Sequence, residues 1–339
     1  MSASATVMSS WIRSHDLAPN HIAFHASPEA RPAAPRGGRQ QLRNDRAVLM
    51  KVGLVSIQKN RAPWLHEWVA LHHLAGFAKF YVYAHNCTDH SDQVLKTLAG
   101  GYDLQAFSVK TTENQVQLKV YQHAYENFGH ECDWLAFIDG DEFLFPTAAA
   151  SIGDALAPFQ YQKVSAIGAY WACFGSSGHV AEPAGLVLEN YRRRPPLSFA
   201  INRHIKSIVR GRQASRVGPN SHLFNTPWGT QDELGRNIDF GWTQHEPSYT
   251  QFRINHYVTQ SLQFFKQFKQ TSGAADAGAG YVRPDSWWAK HDHNDELDDS
   301  MGRWLPGLKA DMARLPLQGA GVLRPPVCAL PTAVVGVPA

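Results

Sequence analysis

An α/β fold, layered helix–sheet–helix around a mixed and mostly parallel central sheet, is predicted by three observations. Short apolar runs alternate with segments of helical period four times between Val52 and Ile138, the pattern that joins parallel strands through crossover helices. The run Val52–Ile57 is almost unbroken, as in a strand buried on both faces. The chain has 339 residues, 44% of them hydrophobic, enough to enclose such a sheet.

The elements follow in order. Val52–Ile57 reads as the first strand of the body. Pro63 suits the first turn of a helix, where its missing N–H is not needed. Trp64, Leu65, Trp68, Leu71 and Ala75 recur at helical spacing up to a closing Gly76. Phe80–Ala84 is a second strand, ending in the polar turn Asn86–Asp89. Ser91–Leu98 is a helix closed by Gly100-Gly101, Leu104–Val109 a third strand, Val116–Phe128 a third helix and Trp134–Ile138 a fourth strand. Beyond Pro146 the alternation loosens. A helix at Ile152–Phe159, strands near Val164–Trp171, Ile205–Val209 and Phe252–Tyr257, and a helix at Ser261–Thr271 are expected. Residues 1–47 are expected to be a disordered leader, 48–310 the folded domain with halves at 48–146 and 147–310, and 311–339 a tail.

Charge narrows the function. Thirty-two basic and 29 acidic residues leave a net charge of +3, too small to indicate nucleic acid as the partner. That excess resides in the Arg-rich first 50 residues, and the body is neutral. Cys87, Cys132, Cys173 and Cys328 lack metal-type spacing and fit a reducing compartment. No stretch reaches the length of an apolar membrane span. The expected location is cytoplasmic, with peripheral attachment at the inner membrane face as an option.

The segment that carries chemistry is the end of the fourth strand, where Trp134–Ile138 runs into Asp139-Gly140-Asp141-Glu142. Open parallel sheets bind ligands beyond the carboxyl ends of their strands. Two carboxylates there suit a hard divalent cation, Mn²⁺ or Mg²⁺, which can bridge a substrate diphosphate. Alternation points Glu142 away from Asp139 and Asp141, and Phe143 and Phe145 are expected to anchor the loop in the core.

The chain resembles GT-A-fold glycosyltransferases, in particular glycosyltransferase family 92 and related family 2-like bacterial proteins. The matching stretches are Ser56–Trp68, His72–Gly76, Phe80–Tyr83, Asn86–Asp89, Gln117–Tyr121 and the acidic strand end. Phe174–His179, His204–Arg210, His222–Phe224, Asn255–Ser261 and Asp292–Asp295 continue them in the expected order. The resemblance implies transfer, with inversion, of a sugar from a nucleotide-diphosphate donor to a glycan, lipid-linked or other hydroxyl acceptor. It implies Asp139 and Asp141 at the metal, with Asn60, Glu67, Asp89 and Lys119 among the donor contacts. Gln58 and Gln260 depart from the family pattern, which favours a small or apolar residue and a Lys at those places.

The second half supplies the remaining candidates. Eight basic residues and no acid lie between 190 and 231, a composition suited to a diphosphate; Lys206 and Arg210, in a predicted strand, are the expected contacts. His256 is the expected third metal ligand, with His222 its rival. His291-x-His293 lacks the companions of a zinc site. Trp171, Trp228, Trp242, Trp287 and Trp288 include candidate sugar platforms. For the catalytic base the sequence offers Asp232, with Glu233 and Glu246 as rivals. A haloacid-dehalogenase-like phosphatase and a non-catalytic carbohydrate-binding protein of the same fold stand as alternatives.

Overall fold

The computed structural model describes residues 24–26, 50–213, 215–270 and 281–317. The remainder of the expected leader and tail lies outside the described residues. In chain order the elements are β1 (Phe24–Ala26), β2 (Val52–Gln58), α1 (Ala62–Leu74), β3 (Lys79–His85), α2 (Ser91–Leu98), β4 (Leu104–Val109), α3 (Val116–Phe128), β5 (Trp134–Phe137), β6 (Glu142–Pro146) and α4 (Ile152–Leu156). They continue with β7 (Ala166–Cys173), α5 (Val187–Asn190), β8 (Arg193–Arg194), β9 (Ile205–Arg210), β10 (Arg216–Val217), β11 (Phe224–Asn225), β12 (Thr230–Gln231) and β13 (Asn237–Ile238). β14 (Phe252–His256), α6 (Leu262–Phe264), α7 (Asp285–His291), β15 (Glu296–Leu297) and α8 (Leu305–Arg314) complete them.

The main sheet runs β1-β4-β3-β2-β5-β9-β7-β12-β13. Strands β4, β3, β2 and β5 are mutually parallel, β9 is antiparallel to both its neighbours, and β14 bridges β6 and β7. The three-layer form follows from strand alternation. Leu54, Phe80, Val82, Trp134 and Ala136 pack with Trp68 and Leu71 of α1 and with Leu95 of α2. Val55, Ile57, Tyr81, Tyr83, Leu135 and Phe137 face the other way, onto Val120, Tyr121 and Ala124 of α3.

Two expected boundaries are corrected. Phe24–Ala26 pairs antiparallel with β4, so these three residues of the leader form an edge strand. The folded body extends past 310, because α8 continues to Arg314 and packs on α1. The helix expected from Ser261 is one turn of α-helix, Leu262–Phe264, that widens into a π-helix at Phe265–Lys269. Among the described residues no helix is long and apolar enough to cross a membrane.

Candidate functional site

The carboxyl ends of β2, β3, β4 and β5 open onto a cleft of about 720 Å³. Its floor is the turn after β5. Backbone bonds close that turn on itself: Asp139 N–H donates to Glu142 Oε2 at 3.0 Å, and Glu142 N–H to the Asp139 carbonyl at 3.2 Å. Gly140 is required by space, since a Cβ there would lie 2.7 Å from the side chain of Gln58. The Gly140 carbonyl accepts from Arg61 Nη2 at 2.9 Å, and Arg61 Nη1 donates to Gln260 Oε1 at 2.8 Å. Gln58 and Gln260, the two departures from the family pattern, thus act on one loop.

Asp139 is a hydrogen-bond hub. Oδ1 accepts from Gln117 at 2.5 Å and Tyr121 at 3.4 Å, and Oδ2 from Lys206 at 2.8 Å. Lys206 is buried and also faces Glu142, at 3.8 Å. Burial would raise the Asp139 carboxyl, but Lys206 outweighs it and holds it below the ordinary range. Burial drives Glu142 the other way, well above its usual value.

Asp141 is fixed from β14. Its carbonyl accepts the Tyr257 N–H at 2.9 Å, and the β14–β6 register sets His256 opposite Glu142. His256 Nε2 therefore lies 3.7 Å from Asp141 Oδ2, and Lys269 from the π-helix pairs with the same oxygen. Burial works to raise this carboxyl too; Lys269, His256 and Arg61 together hold it well below the carboxylate range. Burial lowers His256, against the pull of Asp141. Among the described residues no group of three His, Cys, Asp or Glu is placed to hold a metal ion. Asp139, Asp141 and His256, which line one cleft, are ligand types that a divalent cation accepts. The buried Nδ1 of His256 has no partner among the described residues.

The other expected residues divide. Asn60 lines the cleft, and its Oδ1 accepts the Thr88 N–H at 2.8 Å. Asp89 lies behind it and caps two helices, accepting from the N–H groups of Ala62 and Ser91 at 3.1 and 2.9 Å. Glu67 is buried away from the cleft and accepts from Val187 and Leu188 N–H at the start of α5; its expected donor contact is corrected. Lys119 is half exposed and paired with Glu113. The helix phase explains that correction, because Gln117 takes the inward face of α3 and a residue two places on points elsewhere. Arg210 is corrected as well: it stacks on Trp134 at 4.5 Å and donates to the carbonyls of Val164 and Gln160.

The 190–231 run does not form one patch. Arg192 and Arg194 pair with Asp299 and Asp298, and Arg203 with Glu246. The cations lining the cleft are Lys59, Arg61, Lys269, Arg283 and Lys290, which charge counting along the sequence passed over because no two share a basic run except Lys59 and Arg61.

The three candidate bases are corrected. None lines the cleft. Asp232 is fully buried and bound by Arg236 at 2.6 Å and the Tyr170 hydroxyl at 3.0 Å. Glu233 accepts from the backbone N–H groups of Gln251 and Phe252 at 2.7 and 3.0 Å, and Glu246 is held by Arg203.

Trp171 and Trp287 do line the cleft; Trp228, Trp242 and Trp288 do not. Trp171 ends β7 among three imidazoles: His204 stacks on it at 4.9 Å, His222 meets its edge at 5.3 Å and His256 lies at 4.2 Å.

A mixed, mostly parallel central sheet whose strand ends open onto one cleft is the architecture of the GT-A class of glycosyltransferase fold. The sequence profile of "Glycosyltransferase family 92" matches residues 55–277, more than half of the chain, and the chain belongs to that family. A family 92 protein of Oryza sativa subsp. japonica is 28% identical over 154 residues, covering 45% of this chain and 25% of that protein. One from Ricinus communis is 31% identical over 90 residues, 25% of this chain and 15% of that protein. The chain thus matches a quarter or less of these relatives' own length. Among solved structures, S. aureus TarS 1-349 in complex with UDP-GlcNAc aligns with a TM-score of 0.38 and 10% identity, over 79% of this chain and 68% of that one. Glucosyl-3-phosphoglycerate synthase from Mycobacterium tuberculosis, in complex with Mn²⁺, UDP and phosphoglyceric acid, aligns with a TM-score of 0.26 and 11% identity, over 38% and 44%. Family membership sets aside the phosphatase alternative.

Proposed function

We propose that the chain is a metal-dependent glycosyltransferase that moves a sugar from a nucleotide-diphosphate donor to an acceptor hydroxyl with inversion. The observation that carries this reading is the convergence of Asp139, Asp141 and His256 on one strand-end cleft. Asp141 and His256 would hold Mn²⁺ or Mg²⁺ directly, with Asp139 beside them. Bound there, the cation supplies counter-charge to the diphosphate as it leaves. Lys206 keeps Asp139 ionised without exposing its own charge to the cleft. Arg61 holds the Gly140 carbonyl and so fixes the direction of both carboxylates. Asn60, Asn86 and Gln117 line the cleft and shape its wall through bonds to Thr88, Thr111 and Asp139. Lys269 stands where it can exchange Asp141 for a donor phosphate oxygen.

The test is nucleoside diphosphate release from a panel of nucleotide sugars in Mn²⁺, with and without EDTA. Turnover that EDTA abolishes is expected, and Asp141→Ala should lower it by about 100-fold or more. Binding without turnover would favour a carbohydrate-binding protein of this fold. Full activity of Asp141→Ala in Mn²⁺ would remove the metal role.

A further inference from the structure

Inverting transfer needs a group to take the acceptor's proton, and the described cleft has no spare carboxylate. Its acids are Glu113, Asp139 and Asp141. The two aspartates form the floor, and Glu113 is paired with Lys119 before α3. The walls carry imidazole instead. His204, His222 and His291 each engage a backbone carbonyl through Nδ1: Ile201 at 2.9 Å, Ile205 at 2.8 Å and Trp287 at 2.7 Å. A carbonyl only accepts, so each ring carries its hydrogen on Nδ1 and keeps a lone pair on Nε2. None of these Nε2 atoms has a partner among the described residues, and none is sealed in the interior. The lone pairs meet the cleft.

We propose that His204 is the general base, an inference that rests on the transferase reading above. The acceptor O–H proton passes to His204 Nε2 as the oxygen bonds to the anomeric carbon. The bond from that carbon to the diphosphate oxygen breaks, and its electron pair leaves with the nucleoside diphosphate. The imidazolium then gives its proton to water. Ring geometry favours His204, whose plane lies 18° from that of Trp171 and is fixed by stacking as well as by the Ile201 carbonyl. An acceptor hydroxyl in the cleft can donate to the Nε2 lone pair of His204. Burial pushes His222 down to about 3 and His291 down to about 4. His204 is lowered by burial, helped by His256, Lys206 and Lys290, while the Ile201 carbonyl opposes the fall.

His204→Asn is the decisive variant, because its side-chain amide can still donate to the Ile201 carbonyl while the Nε2 lone pair is gone. Nucleotide release is followed from the donor that the wild type turns over, with UDP affinity measured by calorimetry in Mn²⁺. The expected result is a ~10²–10⁴-fold fall in kcat with UDP affinity kept, and loss of the acidic limb of the kcat–pH profile. Imidazole added to His204→Ala should restore part of the rate, which a merely structural role would not allow. His222→Gln should keep the acidic limb. Wild-type kcat in His204→Asn, no imidazole rescue, or loss of the limb in His222→Gln instead would overturn the assignment while leaving the transferase reading intact. A wild type that binds UDP yet releases nucleotide from no donor would overturn both.

Discussion

Between Val52 and Pro146 the chain runs through regular elements whose ends deliver side chains to the cleft. Between Ala166 and Leu297 the three longer strands β7, β9 and β14 are linked by stretches that form six strands of two residues each, and side chains hold much of that linking backbone. The acids show the difference. In the first region Asp139 and Asp141 stand in the cleft. In the second, Glu233 receives the N–H groups that precede β14, Asp292 receives Ser176 N–H at 2.6 Å, and Asp298 is shared by Arg194 and Arg253. Linking stretches with few ladder hydrogen bonds satisfy their backbone with carboxylates, and those carboxylates are then unavailable for chemistry. Histidines fill the cleft wall in their place.

Lys206 is where the two regions depend on each other most. It reaches from β9 to offset Asp139 and faces the buried Glu142. Lys206→Met would leave those acids without their cation; with Lys206 buried but Asp139 34% exposed, the cost should lie between that of a surface pair and a buried one, about 1–3 kcal/mol. Urea unfolding should show a loss of that size. A loss below about 1 kcal/mol, the scale of a surface pair, would mean that the acidic turn stands without the second region.

Glu67 joins the regions in the opposite sense, since an acid of α1 holds the start of α5. Burial pushes its carboxyl up to about 7, from an ordinary value near 4.5, against the pull of the Leu188 and Val187 N–H groups. A raised carboxyl contributes stability that is complete below its unfolded pKa and is lost as pH rises through the folded value. The wild type should therefore lose on the order of 3 kcal/mol through this group between about pH 4.5 and 7. Glu67→Gln should flatten that part of the stability–pH curve. Unfolding midpoints of the two proteins across this window make the comparison, and parallel curves would show that Glu67 stays ionised in the fold.

How far each region was legible follows from the same contrast. The strands and helices from Val52 to Phe137 are expected within a residue or two of where they lie, because long apolar periods dominate them. Asp139 and Asp141 were readable because a buried strand runs straight into them. Lys119 is the contact that the resemblance implies, whereas helix phase brings Gln117 to the cleft. In the second region no period governs the chain. That Arg61, Lys269 and His204 share a cleft depends on the β14–β6 and β7–β9 pairings, which join residues far apart in sequence. The basic run at 190–231 misled because composition does not record that Asp298, Asp299 and Glu246 fold back onto it.

Asp232 gives the finest test of the contrast, since the sequence offers it as a catalytic base and the fold supplies an anchor. Its Oδ1 accepts from the N–H groups of Leu234 and Arg236, each at 3.0 Å, and Oδ2 from Arg236 Nε and the Tyr170 hydroxyl. In Asp232→Asn the amide oxygen can keep the two backbone bonds. The amide N–H group then meets the Arg236 N–H, donor against donor, while the tyrosine hydroxyl can turn to accept. The cost should be about 1–3 kcal/mol of stability, the penalty for one unsatisfied buried group. Nucleotide release should stay within about twofold of wild type, as for a residue that makes no transition-state contact. Urea unfolding and turnover on the same preparation separate the two roles: a collapsed rate with stability intact would return the base to Asp232 and take it from the imidazole wall.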